Sequence, residues 1–368
     1  MAVINSLAFD DDTGAILADE EYWFLRRRKS YFADSLHDLV PPEAADDWNL
    51  FAVYGGVGTP SFHGEVVGKV RAEIARQYRE WKDKGGARPL TTVDGVGNLV
   101  VEMTQKTVRR RVDEKLRFFY GFSTDDFLRG SWEVDGKKVP IQQEKVKNRA
   151  RGIIEYTEKS PLVKSIYDNV AVLLGWDAVH GMGHFHLKAE NCVLSMVSGR
   201  FEAVGKGKYA SAMVLTHYLQ NKTLSERREG LDRTEGTIEL VRATLRAGDS
   251  FHEAGGHLNM VLLDARETGH GRRVREISDD RAKLVSESVR ALDAGLVERG
   301  VVRTMVDGLV YGRSAPDKME DLLFKSARSV KNLGLLLRGY KFQDWLDDGG
   351  FAVSAGKKRA RGKEGGRK

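Results

Sequence analysis

The sequence predicts an α+β fold in which helices pack on the face of an antiparallel sheet, and three stretches carry that prediction. The longest spans residues 169–259. It opens with the apolar run 169–177, which ends in Gly-Trp-Asp, and His184 to Val197 reads as one or two further strands. The glycine turn Phe201-Glu-Ala-Val-Gly-Lys-Gly-Lys-Tyr-Ala-Ser211 leads into a helix, a second helix follows, and Ala254-Gly-Gly256 precedes the apolar strand 260–264. Strand, hairpin, glycine turn, two helices, Gly-Gly and strand is an order that suits helices on an antiparallel sheet. The second stretch is a hairpin at the start, with strands 2–9 and 15–18 around Asp10-Asp-Asp-Thr-Gly14, whose residues tolerate turn conformations. The third is the strand 50–54 followed by a helix over 62–84, where Val66, Val70, Ile74 and Tyr78 recur every four residues on one face.

The remaining elements follow in chain order. Arg26-Arg-Arg-Lys29 is a basic cluster before Ser30-Tyr-Phe-Ala33, suited to an exposed strand start or a subunit contact. Pro41-Pro42 and the acidic residues to Asp47 read as a loop. Gly55, Gly56 and Gly58 leave a strand and enter a helix. With no Gly-Lys-Ser/Thr and no complete dinucleotide fingerprint, they read as tight backbone packing. Gly85-Gly86 breaks the first long helix, and 100–120 reads as another, with Lys106, Arg109, Arg110 and Glu114 on a charged face. Periodicity is lost over 122–160, where Trp132 to Pro140 looks like a hairpin around Asp135-Gly136. After Asp264, residues 272–277 are expected as a strand, 279–300 as one helix, and 301–345 as mostly helical with a break near 312–316.

Composition bounds the function classes. The 368 residues are 41% hydrophobic, enough for a core, and the mean hydropathy of -0.41 is that of a water-soluble chain. No run approaches the roughly 20 apolar residues of a membrane span, and Met1-Ala-Val-Ile-Asn-Ser lacks the basic start of a secretory signal. A cytoplasmic location is expected. Cys192, the one cysteine, cannot close an internal disulfide and reads as inert core of an apolar strand. The net charge of +6 is matched by the tail 357–368, with seven Lys or Arg and one Glu, so the body before it is formally neutral. That Gly-rich basic tail is expected to be disordered. It could solubilise the chain or touch nucleic acid.

These stretches together resemble the proteasome β-subunit family, of the N-terminal nucleophile hydrolase fold. Residues 9–19 are similar to its opening hairpin, whose second strand ends in Ala-Asp. Residues 51–58 resemble its strand before the first long helix. Residues 170–177 resemble its Gly-Tyr-Asp strand with Trp176 in place of Tyr. Glu202-Ala-Val-Gly-Lys-Gly207 resembles its Ala-Ile-Gly-Ser-Gly turn, and Ala254-Gly-Gly256 its Ser-Gly-Gly. The resemblance covers residues 2–297. It implies a four-layer αββα sandwich and assembly into rings. The implied organisation is a proteasome-like domain over 2–300 with an insertion at about 122–160, a helical C-terminal extension over 301–350, and the basic tail 351–368.

The family's chemistry is not matched residue by residue. There an N-terminal Thr is the nucleophile and its own amine the general base. Matching Phe9 and Asp19 places Ala2 at that position, which has no nucleophilic oxygen. Asp19 matches the acidic residue after the hairpin, and Lys29 is the nearest counterpart of the supporting lysine. Lys206 replaces the serine of the glycine turn, Ala254 the serine before Gly-Gly, and Phe251 the aspartate upstream, with Asp249 nearby. Asp19, Lys29, Lys206 and Asp249 are therefore vestigial candidates. Cleavage before Ser6 would expose a serine but remove half of the first strand; Thr91-Thr92 reads as a loop and helix N-cap. A separate metal reading rests on Asp177, His180, His184 and His186, since His184 and His186 share one strand face and imidazole suits zinc. Solvated hairpin histidines are the simpler expectation.

The sequence therefore leads to a non-catalytic, proteasome-like pseudoenzyme that self-assembles as a homo-oligomeric ring or scaffold. No cofactor is expected, and a protein partner could use the insertion or the extension. The alternative is an N-terminal-nucleophile-type peptidase or amidohydrolase with rearranged catalytic residues. Phe118, Phe119, Tyr120, Phe122 and Phe127 form the aromatic cluster best placed for a subunit contact.

Overall fold

The computed structural model describes residues 3–19, 21–24, 27–30, 35–134, 136–250 and 258–337, with the backbone alone for 21–24, 27–30 and 134. The chain begins with β1 (Val3–Ala8), β2 (Thr13–Asp19), β3 (Glu21–Phe24), β4 (Arg27–Ser30) and β5 (Leu36–Asp38). Next come α1 (Pro42–Trp48), β6 (Leu50–Val57), α2 (Pro60–Lys84) and α3 (Val93–Tyr120). The middle holds α4 (Thr124–Arg129), β7 (Ser131–Val134), β8 (Lys137–Pro140), α5 (Glu144–Ile154) and α6 (Pro161–Tyr167). Then follow β9 (Val170–Asp177), β10 (Gly181–Lys188), β11 (Val193–Met196), β12 (Phe201–Gly205), α7 (Lys208–Gln220), α8 (Leu224–Glu229) and α9 (Arg233–Ser250). The last described elements are β13 (Leu258–Asp264), α10 (His270–Arg273), β14 (Val274–Ile277), α11 (Asp279–Asp293), α12 (Arg299–Val306), a π-helical turn at Asp307–Tyr311, α13 (Pro316–Lys325) and α14 (Val330–Leu336).

Two five-stranded antiparallel sheets organise these elements. One has the order β12-β1-β2-β13-β14, the other β11-β10-β9-β6-β5. Strand alternation gives each sheet two apolar faces. Ile4, Ile16, Val204 and Leu263 of the first sheet meet Phe51, Val53, Val172 and Leu174 of the second in one buried core. The opposite face of the first sheet carries Leu7, Leu17 and Met260, packed with Leu215, Ile238, Leu240 and Val285 from α7, α9 and α11. The opposite face of the second carries Tyr54 and Leu173, packed with Val66, Val70 and Ile74 of α2 and Val96 and Val100 of α3. The structure is thus α+β, with helices on antiparallel sheets.

Close approach explains the glycines at the sheet joints. A Cβ on Gly175 would lie 2.5 Å from the Phe51 carbonyl oxygen, and one on Gly56 2.4 Å from the His63 ring. Gly55 and Gly56, expected in the turn, thus lie inside β6, and the turn itself is packed against protein at Gly58, where a Cβ would lie 2.4 Å from Asn169 Oδ1.

Several elements differ from expectation. Residues 42–48 form α1 instead of a loop, because Pro42 suits a first helical turn and Ala44, Ala45 and Trp48 are buried. Residues 279–300 form two helices, since the chain turns at Gly295 with φ 68°. Residues 272–273 end α10, so β14 is shorter than expected. Cys192 lies in the turn between β10 and β11, outside any strand, with φ 50°; its Sγ donates to the Ala189 carbonyl at 3.3 Å and burial pushes its thiol pKa up.

Residues 122–160 hold the expected hairpin, β7 with β8, and also α4 and α5, the first opened by a capping box between Ser123 and Asp126. Phe122, Ile141 and Ile153 pack with Val112 and Leu116 of α3 in a separate core. Past residue 300, Leu309, Leu323 and Leu333 join the core of α9 and α11. The tail 351–368 lies outside the described residues. Among those residues, no helix is long and apolar enough to cross a membrane.

Candidate functional site

Two places gather polar side chains in the first sheet. One is the start of β1, where the resemblance puts a nucleophile. Val3 pairs with Gly205 of β12, and Asp19 pairs with Leu258 of β13. The Val3 amide donates to Asp19 Oδ1 at 2.5 Å, and both residues are fully buried. A carboxylate that accepts a backbone N–H at a strand start holds two strands in register. Lys206 follows Gly205 in the turn, and Gly207 has φ 90°, with its Cβ direction closed by Ala247 at 2.7 Å. This close approach excludes a side chain at 207.

The vestigial candidates separate here. Asp19 and Lys206 flank the start of β1. Asp249, in the last turn of α9, instead faces Arg290 of α11 at 3.7 Å, and its side chain is half exposed. The side chain of Lys29, together with Ala2, Phe251 and Ala254, lies outside the described residues.

The second place is a polar group inside the space between the sheets. Ser6 is two residues beyond Ile4, so alternation turns it toward the other sheet. His184 pairs with Leu174 and His186 with Val172, both inter-sheet residues, so both imidazoles share that face. Ser6 Oγ and His184 Nε2 lie 2.6 Å apart, and Ser6 Oγ is 3.4 Å from the carbonyl of Glu202, its cross-strand neighbour. His186 Nδ1 lies 3.4 Å from Glu202 Oε1.

Burial pushes the His184 imidazole down to about 4 against the pull of Glu202, so it is neutral near pH 7. Burial raises the Glu202 carboxyl, but hydrogen bonding and charge from His186, with His184, outweigh this and its pKa is lowered. A neutral imidazole beside a hydroxyl is the arrangement of a base and a nucleophile. Ser6 is nevertheless fully buried and His184 nearly so. Cleavage before Ser6 would also cut into a strand paired on both sides.

Next to this group a cavity of about 390 Å³ opens between the edge strands β11 and β12, lined by His186, Lys188, Asn191, Val193, Ser195, Met196, Val197, Ser198 and Glu202.

The four metal candidates do not converge. Asp177 is buried, and its Oδ2 accepts from the Val93 amide while Oδ1 accepts from the amides of Val179 and His180. His180 approaches Asp177 at 3.4 Å, but its side chain is 65% exposed. His184 is taken by Ser6. Among the described residues, no three His, Cys, Asp or Glu are grouped to hold a metal ion. Thr92 caps α3 by accepting from the Gly95 amide, as the loop-and-cap reading of Thr91-Thr92 expected.

Sequence reasoning missed the joining of Ser6 and Glu202 to the two histidines. Alternation alone could have placed Ser6 inward with Ile4. Nothing local links it to a histidine 178 residues away.

No known family's sequence model matches this chain, and no curated protein matches it. Among solved structures, one similar chain is Anbu (ancestral beta-subunit) from Yersinia bercovieri, at 10% sequence identity and a TM-score of 0.48, covering 80% of this chain and 94% of that one.

Proposed function

We propose that this chain is a proteasome-like protein, built as a four-layer αββα sandwich, that acts through self-assembly into a ring or scaffold and has lost N-terminal-threonine hydrolysis. The layered reading is supported by one core between the two sheets and a separate helix-lined core on the outer face of each. The observation that carries the loss of chemistry is at the start of β1. Ala2 stands at the nucleophile position, and the buried Asp19 carboxylate accepts the Val3 amide. The glycines of the turns persist while the hydroxyls expected beside them are Lys206 and Ala254. The test combines intact mass with turnover of fluorogenic peptides. The expected result is an N-terminus at Met1 or Ala2 and no turnover sensitive to an inhibitor of N-terminal threonines. Inhibitor-sensitive turnover, or a species beginning at Ser6 or Thr92, overturns it.

A second reading, a peptidase or amidohydrolase with rearranged residues, is favoured by one observation, the 2.6 Å approach of Ser6 Oγ to His184 Nε2. Burial of both groups opposes it. Labelling by a fluorophosphonate that vanishes in Ser6→Ala would support this reading; an unlabelled wild-type chain removes it.

A further inference from the structure

The cavity between β11 and β12 has a polarity that neither reading of the function uses. At one end stands Glu202. Its two polar contacts, to His186 Nδ1 at 3.4 Å and to the Ala203 amide at 3.3 Å, both fall on Oε1. Oε2 has no hydrogen-bond partner among the described residues. The side chain is 22% exposed, so this oxygen belongs to a carboxylate largely withdrawn from water. His186 holds the carboxylate in its charged form.

At the other end stands Lys188, two residues along β10 from His186. Two residues of strand span about 7 Å and return to the same face. Lys188 has no carboxylate partner among the described residues, and it is exposed toward the cavity it lines. Its cross-strand neighbour Val193, with Met196, supplies apolar wall, while Ser195 lies opposite His186. The volume of about 390 Å³ is within the range of small-molecule sites.

From the Glu202 carboxylate beside His186, a lysine with no carboxylate partner among the described residues whose strand position is about 7 Å beyond that of His186, and apolar wall in the same cavity, we infer that this cavity binds a small zwitterion of the ω-amino acid type. The ligand's ammonium meets Glu202 Oε2, its carboxylate meets Lys188, and its methylenes lie against Val193 and Met196. An α-amino acid holds its two charges on adjacent carbons and cannot bridge both ends. A monoamine or a monocarboxylate satisfies only one end. The inference does not depend on whether the chain forms a ring.

The test is isothermal titration calorimetry on the full chain at low ionic strength with 6-aminohexanoate, and with glycine, hexylamine and hexanoate as controls. Saturable binding of 6-aminohexanoate is expected, with each control weaker by about tenfold or more. Glu202→Gln and Lys188→Gln should each weaken it by about tenfold. Ser195→Trp, which fills the cavity without changing a charge, should abolish it. Thermal melts establish that each variant folds; if Glu202→Gln does not, Lys188→Gln and Ser195→Trp still decide. No saturable heat up to about 10 mM ligand overturns the inference. So does binding equalled by either single-charge control, or binding unchanged in Lys188→Gln or Ser195→Trp.

Discussion

Ser6 and His184 show what a buried polar pair is worth when, among the described residues, each group is the other's shortest side-chain contact. Ser6→Ala leaves His184 Nε2 without its hydroxyl partner in the inter-sheet core and is expected to cost about 1–3 kcal/mol; His184→Leu should cost less, because the hydroxyl keeps the Glu202 carbonyl at 3.4 Å as an acceptor. Removing both partners replaces a polar pair by apolar groups, so the double variant should lose clearly less than the sum. Urea unfolding of the four proteins measures this, and strictly additive losses would show that the two groups are not coupled. The same imidazole sets a pH response. Burial lowers His184 to about 4, and it lowers His63, which lies 2.6 Å from Tyr54 Oη, to about 4 as well. Between pH 6.5 and 4 the unfolded chain binds protons that the folded chain refuses. Stability therefore rises with pH through that window and falls on acidification, by up to roughly 3 kcal/mol per imidazole. His270 has the opposite shift. Burial lowers it, but the bond and charge of Asp38 outweigh that and raise it. Its contribution is complete below about 6.5 and is lost only at higher pH. Glu65 and Glu73, both lowered to about 2, lose theirs below about 4.5. Among the described residues, the slope from pH 6.5 to 4.5 thus reports the two buried histidines His63 and His184. It should be shallower in the double variant, and an unchanged slope would mean that His184 titrates normally.

Asp177 acts at the scale of elements, where it joins the end of β9, the β9–β10 turn and the first turn of α3. Its carboxylate serves three backbone amides. Asp177→Ala should therefore cost about 3 kcal/mol, as the buried Val93 amide and two half-buried amides lose their acceptor. His180→Ala, at an exposed ring, should stay within about 0.5 kcal/mol. Equal effects in urea titration would return the pair to a shared role such as metal binding. This residue also shows what the sequence made legible. Gly-Trp-Asp at the end of an apolar run marked a strand end correctly, but one of the three partners of the Asp, the Val93 amide, lies 84 residues upstream and has no local signature. Alternation in β1 and β10, the apolar run of β9, the four-residue spacing in α2 and the Asp-Gly hairpin were readable because each is a local pattern. Helix α1 was hidden because Pro-Pro and three acidic residues look like a loop until Trp48 is buried. Of the candidate site, Asp19 was visible as the last residue of a hairpin. The Ser6–His184 and His186–Glu202 contacts were not, because they exist only where two sheets face each other.

For the whole molecule, the proposed ring requires a heterologous contact repeated at a fixed rotation, and the end of α3 offers apolar surface for one. Of the aromatic cluster read from the sequence, Phe122 is buried against Tyr120, Phe127 and Trp132, so that part belongs to the chain's own core. Phe118 and Phe119 stand apart, 81% and 48% exposed and edge-on to each other. Exposed aromatics of this kind are the residues that anchor interfaces when a partner covers them. They should therefore matter to association and not to folding. The double variant Phe118→Asp/Phe119→Asp places two charges where a neighbouring subunit would bury them, at a cost to a contact but little to a solvated helix end. Sedimentation velocity at micromolar concentration should show the wild-type chain well above its 41.1 kDa monomer mass. The variant should shift toward that mass while its thermal midpoint is unchanged. A wild-type chain that stays at the monomer mass over an about hundredfold concentration range ends the ring proposal. A variant that assembles like the wild type moves the contact to another surface.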